Sequence, residues 1–262
     1  LHTLNQVFFS DQNIEDHYRF WFNRLFKNDI QSVTKAYLDI EVDISDIAGD
    51  FPEPGEAPVN AVTYINNGVI NTYILRDPRN PLVQEFENQV ASGQIERELR
   101  ELINFAIGDE ERQRKFNIFG YKFNVKFFDQ EIQLLGSLFR QINTEEPDFL
   151  LAWNMAFDIP YIIQRIRNLG YRPESIMCHQ DFKINPRAEY FIDTRMENNY
   201  AERGDYAYIS SYTVYLDQMI QFASRRKGQS AFASFKLNDI GAQICGVQKL
   251  NYHHITTDLA KL

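Results

Sequence analysis

Three carboxylates stand where strands would deliver them to one place. Asp39 and Glu41 lie two apart in the apolar run AYLDIEV (36–42). That run reads as a buried strand, on which residues two apart face the same side, so the two acids emerge together. Like charges that close are unfavourable unless a cation lies between them. A third acid, Asp158, sits in NMAFDIPY (154–161), where the apolar run FLLAWN turns into PYIIQRIRNL. Oxygen ligands gathered at strand ends predict a site for divalent cations and phosphate chemistry. Asp158 also suits a helix N-cap before a Pro-containing first turn, and one carboxylate oxygen can cap while the other ligates. Asp217, at the end of YLD (215–217), is expected mainly as a helix cap and secondarily as a neighbour of the metal site.

These acids need a scaffold. The strand around Asp39 spans 35–42, and runs at 59–65 and 69–75 flank Asn66-Asn67-Gly68, a hairpin signal. Together they predict an antiparallel meander. Helical periodicity marks 94–107 and 130–142, the second with a stripe of Ile132, Leu135, Leu138, Phe139 and Ile142. Short strands are expected at 125–128 and at 149–153, the latter buried on both faces. The helix after Asp158 should stop at Gly170. Residues 183–210 read as extended, aromatic-rich segments around a polar turn, a protruding hairpin. A strand at 212–216, a helix from Asp217 and a short helix at 235–245 complete the series. In HYRFWFNRLF, Tyr18, Trp21, Phe22 and Leu25 have helical spacing and predict an amphipathic helix. The fold class is therefore α/β with a mixed sheet, whose ligands bind at strand ends.

Composition narrows the function further. The chain of 262 residues is 44% hydrophobic, enough for a sizeable core. No apolar run reaches the roughly 18–20 residues that span a bilayer, so no membrane partner is expected. Cys178 and Cys245 belong to no paired motif and are expected as free thiols in a reduced, cytoplasmic setting, without a disulfide. A net charge of −9 argues against a broad electrostatic hold on nucleic acid but allows a small metal-centred contact. The first residue is Leu rather than Met, as in an excised piece. Adjacent His253 and His254 would face opposite ways and make a poor ligand pair. Arg225, Arg226 and Lys227 are expected as a solvated loop, as is the acidic run 109–111.

At this point the residues resemble a known family. AYLDIEV is similar to the first motif, Asp-x-Glu, of the DnaQ-like, ribonuclease-H-like 3′–5′ exonucleases. WNMAFDIPYI resembles their second motif, Asn-x-x-x-Phe-Asp-x-Pro-Tyr, in the form used by family B DNA polymerases. FPEP, FFDQEIQLLGSLFRQI and SFKLNDIGAQICGVQKL agree with that family, most closely with polymerases of large tailed phages.

The resemblance implies a ribonuclease-H-like mixed sheet flanked by helices, with a protruding β-hairpin, over residues 35–262. Residues 1–34 would be a flank from the polymerase N-terminal region. It implies two Mg²⁺ or Mn²⁺ ions on Asp39, Glu41 and Asp158, and proofreading hydrolysis of the 3′-terminal phosphodiester of DNA. It implies contacts from Asn154, Phe157 and Tyr161 to a single-stranded 3′ end. Its partners would be the remaining polymerase domains or a second polymerase fragment, in a bacterial host cytoplasm. The family completes its site with Tyr-x-x-x-Asp. Here Phe235 to Asp239 has the spacing but lacks the Tyr, and its surroundings match the preceding helix, Phe-x-Leu-x-x-Val. Asp239 is thus a weak candidate ligand, and the third motif is expected beyond Leu262. A stand-alone DnaQ-like exonuclease and a catalytically incomplete DNA-holding scaffold are the alternatives.

Overall fold

The computed structural model describes residues 21–22, 24–25, 33–45, 47, 52–107, 120–196, 201–226 and 234–248. The chain forms two units, Leu1–Val33 and Thr34–Leu262. In the first, Trp21, Phe22, Arg24 and Leu25 are helical, and the Arg24 guanidinium lies 5.7 Å from the Trp21 ring centre. Tyr18 lies outside the described residues, as do 109–111, Lys227, His253 and His254.

The second unit is built on strand β1 (Lys35–Val42), which alternates. Ala36, Leu38 and Ile40 are buried, while Lys35, Tyr37, Asp39 and Glu41 are exposed. Polar residues at every second position leave only one face for the core, so β1 is a half-buried strand rather than a fully buried one. β2 (Val59–Asn66) and β3 (Val69–Leu75) follow as the expected antiparallel meander. Asn67 and Gly68 both have positive φ, 47° and 75°, as a two-residue turn matching strand twist requires.

Helices α1 (Val83–Ala91) and α2 (Gln94–Ile107) cross over to β4 (Lys122–Phe128), which runs parallel to β3. α1 was not expected. It buries no residue, so its sequence carries no strong apolar stripe. β4 begins earlier than periodicity suggests because its polar positions are still paired: the Asn124 amide donates to Asn71 Oδ1 at 2.8 Å.

α3 (Glu131–Glu145) packs Leu134, Leu135, Leu138, Phe139 and Ile142 on the sheet. Tyr64 and Tyr73 are fully buried, and their hydroxyls reach Glu145 and Gln141 on this helix. β5 (Phe149–Ala152) leads into α4 (Met155–Asn168). β5 buries Leu150 and Ala152 but only half-buries Phe149 and Leu151. α4 is stopped as expected by Gly170, whose φ is 84°.

After the short α5 (Pro173–Met177), β6 (Ala188–Phe191) and β7 (Tyr206–Ile209) form a separate antiparallel ribbon. Its inner face is Ala188, Tyr190, Ala207 and Ile209, all packed in or against the core, and its outer face exposes Glu189, Phe191, Tyr206 and Tyr208. The expected hairpin is therefore anchored by one face instead of standing free.

β8 (Val214–Asp217) and α6 (Gln218–Arg225) follow, then α7 (Leu237–Ile240) and a π-helical turn ending at Gly246. The sheet order is β4-β3-β2-β1-β5-β8, with β1, β5 and β8 parallel. Six mixed strands flanked by helices make the ribonuclease-H-like architecture. Cys178 and Cys245 are free thiols. Among the described residues no helix is long and apolar enough to cross a membrane.

Candidate active site

Three parallel neighbours, β1, β5 and β8, end at the same edge of the sheet. β1 and β8 deliver acids there and β5 leads into the helix that delivers a third, the arrangement by which open α/β sheets build ligand sites. Asp39 and Glu41 sit on the exposed face of β1, opposite Thr63 and Ala61 of β2. Asp217 closes β8 opposite Ala152, the last residue of β5.

Asp158 reaches the site from the first turn of α4, which starts at Met155. The N-cap residue is Asn154, whose backbone carbonyl accepts the N–H groups of Phe157 at 2.8 Å and Asp158 at 3.4 Å. Asp158 is therefore inside the helix and is not its cap. The Asn154 side chain makes no capping bond and is exposed.

Asp158 is buried, only 5% exposed. Burial comes first in pushing its pKa up to about 8, followed by the charges of Asp39, Asp217 and Glu41. Among the described residues no hydrogen-bond donor reaches it. A buried carboxyl without donor or counter-ion must keep its proton or meet a cation.

Asp217 caps a helix, as expected, and lies within the field of Asp158. Its Oδ1 accepts the Ile220 N–H at 3.0 Å and caps α6, while its charge bears on Asp158. Burial also raises its own pKa, and the N–H groups of Ile220, Met219, Ala156 and Met155 oppose the rise. The last two lie at the N-terminus of α4 and lean toward the carboxylate without bonding to Oδ2, which is buried and unpartnered. Near it, Tyr190 on the ribbon buries a hydroxyl that has no partner either. Sequence reasoning missed Tyr190, since nothing in AEYF says which body its inner face will meet.

The remaining candidates divide. Phe157 is half-buried, its ring centre 5.2 Å from that of Tyr161. Tyr161 is fully buried, its hydroxyl accepting the Ala57 N–H and donating to the Ala57 carbonyl, each at 2.9 Å. It cannot offer its ring to a nucleic acid. It fastens the loop 52–58 to α4. Arg165 assists, pairing with the buried Glu131 at 2.7 Å and donating to Gly55 O, while Glu131 accepts the Val59 N–H. Asp239 lies exposed on α7 and is not among the charges felt by Asp158.

Among the described residues no three acid, His or Cys side chains close into a ready metal cage. The acids share an electrostatic field rather than a coordination point, as like charges do without a cation between them. The donor set still fits a hard divalent ion: all oxygen, negatively charged and partly buried.

Comparison with known proteins agrees with this chemistry. A DNA-directed DNA polymerase of Escherichia phage RB69 is 29% identical over 153 residues, 56% of this chain and 15% of that polymerase. The chain thus spans a small part of that relative's length. The family described as DNA polymerase family B, exonuclease domain, matches residues 9–240, which include β1, α4 and β8 with all four clustered acids. With most of its length and the whole acid edge inside that match, the chain belongs to the exonuclease-domain family of the family B DNA polymerases.

Proposed function

We propose that this chain is the 3′–5′ proofreading exonuclease region of a phage DNA polymerase, acting in the host cytoplasm on the single-stranded 3′ end of DNA. One observation carries the reading: the Asp158 carboxyl is buried, lacks a hydrogen-bond donor among the described residues, and sits in the field of Asp39, Asp217 and Glu41. Asp39, Glu41 and Asp158 would hold two Mg²⁺ or Mn²⁺ ions. When bound, such ions set positive charge against the scissile phosphate and make water more acidic.

The chain's own residues supply the rest. Asp39 and Glu41 emerge from one strand face, so they approach a common point without strain. Asp158 comes from a helical first turn held in place by Met155, Ile159 and Ile162, all fully or nearly fully buried. The exposed Asn154 amide, free of capping duty, is available to hydrogen-bond the terminal nucleotides. Phe157 offers a half-buried ring edge for a base or sugar, a contact that tolerates any sequence. Selection of mismatched ends would follow from their easier fraying. The net charge of −9 assigns most DNA affinity to the remaining polymerase domains.

The test is calorimetry with Mn²⁺, paired with digestion of a 3′-labelled oligonucleotide. Binding heat is expected, with affinity weakened at least about tenfold in Asp39→Ala. No heat, or heat unchanged by Asp39→Ala, would overturn the reading and leave the scaffold alternative.

A further inference from the structure

The inner face of the ribbon carries one polar group, the Tyr190 hydroxyl, among Ala188, Ala207 and Ile209. Its oxygen is out of contact with solvent and makes no hydrogen bond. The charged groups that face it are Asp217, Asp205, Arg203 and Asp158. Arg203 and Asp205 are engaged with each other, and Asp205 also accepts the Asp193 N–H at 2.7 Å. Asp217 Oδ2 is a buried acceptor without a partner, on the carboxylate whose charge acts most strongly on Tyr190. One is a donor and the other an acceptor. Buried polar groups in folded proteins are nearly always paired, through protein or through an ordered water.

We propose that Tyr190 is a positioning residue of the nuclease site, its hydroxyl donating to one buried water that donates in turn to Asp217 Oδ2 and to the Asp158 carboxyl. The bond count closes: the water makes three hydrogen bonds, the usual number for a buried water. Three elements far apart in sequence are tied by it, the ribbon, the end of β8 and the first turn of α4. The link also gives the Asp158 carboxyl its missing donor. Strand alternation adds a consequence. Tyr190 points inward while the next residue, Phe191, stacks on Tyr206 on the outer face, ring centres 4.7 Å apart. A nucleic-acid strand resting on that outer pair would bear on the acid site through a single peptide unit. The catalytic part of this inference rests on the nuclease reading above; the hydrogen-bonded link does not.

The experiment uses the full chain labelled at the tyrosine ζ-carbon, which reports the hydroxyl's hydrogen bond by NMR. The Tyr190 resonance, identified by its loss in Tyr190→Phe, is expected to move in Asp217→Asn. Asparagine keeps the α6 cap but turns a donor toward the hydroxyl. Tyr190→Phe should melt within about 2 °C of the parent, since it removes a buried group that has no direct protein bond. It should slow single-turnover trimming of a 3′-labelled oligonucleotide in Mn²⁺ about tenfold with KM unchanged, which a space-filling role would not do. A Tyr190 resonance indifferent to Asp217→Asn, or trimming at the parent rate, overturns the proposal. If the parent chain neither binds Mn²⁺ nor trims, the nuclease reading fails and the positioning role with it, while the NMR shift separately decides whether the link exists.

Discussion

Replacing Asp158 with asparagine should flatten the fall of stability with pH. Folding raises this carboxyl from 3.8 to about 8, through burial first and then the charges of Asp39, Asp217 and Glu41. Below pH 4 it is protonated in both folded and unfolded chains and contributes nothing to the difference. Between about pH 4 and 8 the unfolded chain has released the proton while the folded chain still holds it. The folded state then binds more protons, so stability falls as pH rises and the loss is complete above pH 8. Each pH unit in that window is worth up to about 1.4 kcal/mol. The loss attributable to Asp158 is therefore at most about 1.7 kcal/mol at pH 5 and about 5 kcal/mol by pH 8.

Asparagine has nearly the same shape and never ionises. Its amide brings its own constant burial cost, so the informative quantity is the slope and not the offset. Urea unfolding of the two proteins, in EDTA, at half-unit steps from pH 4.5 to 8.5, measures it. The parent curve should fall away from the Asp158→Asn curve throughout the window, and saturating Mn²⁺ should reduce the divergence by favouring the ionised carboxylate. Parallel curves would show that Asp158 is not held in the field of its neighbours, and the candidate site would lose its centre.

Two further substitutions test the scaffold. Tyr161→Phe should cost about 1–3 kcal/mol, because the buried N–H and carbonyl of Ala57 lose their partner; oligonucleotide affinity should stay within twofold, and a large affinity loss in a stably folded variant would restore a DNA contact to this tyrosine. Gly55→Ala should lower stability by about 2–3 kcal/mol in thermal melts. Gly55 has φ of 77°, and an added Cβ would lie 2.7 Å from Arg165 N and 2.8 Å from the Gln164 carbonyl carbon, so an unchanged Tm would mean that the loop is not seated on α4.

The strand-to-helix junction at Asp158 could be read in one dimension because an apolar run ends there and a helical stripe begins. The position of Asp158 within the helix could not. Asn154 is as good an N-cap type as Asp, and local sequence does not choose between them. Tyr161 misled for a related reason. It lies one turn beyond Asp158, and spacing says that both share a neighbourhood, not which side of it is wet. That is decided by the loop around Ala57, about a hundred residues earlier, whose backbone takes both ends of the hydroxyl. The meander and α3 were predictable because turn chemistry and periodicity are local signals. α1 was not, since a helix that buries nothing needs no stripe. Asp217 was weighed mainly as a cap, and it is one. Its closeness to Asp158 arises from β8 lying beside β5, a pairing of strands more than sixty residues apart.

The electrostatics also order the events at this site. Four acids share one edge, and the chain carries nine more negative than positive charges. A DNA end brings further negative charge, so its approach to the bare acids is opposed at short range. Among the described residues no cationic side chain relieves it: every charge acting on Asp158 raises its pKa, and Arg203, whose guanidinium acts on Tyr190, is paired with Asp205. A lysine or arginine in that place would have lowered the cost of burying Asp158, but it would also have competed with a divalent ion for the same oxygens. The strain of an uncompensated carboxyl thus has a use. On the nuclease reading proposed above, a divalent cation would supply the missing counter-charge, and metal would be expected to enter before or with a DNA terminus.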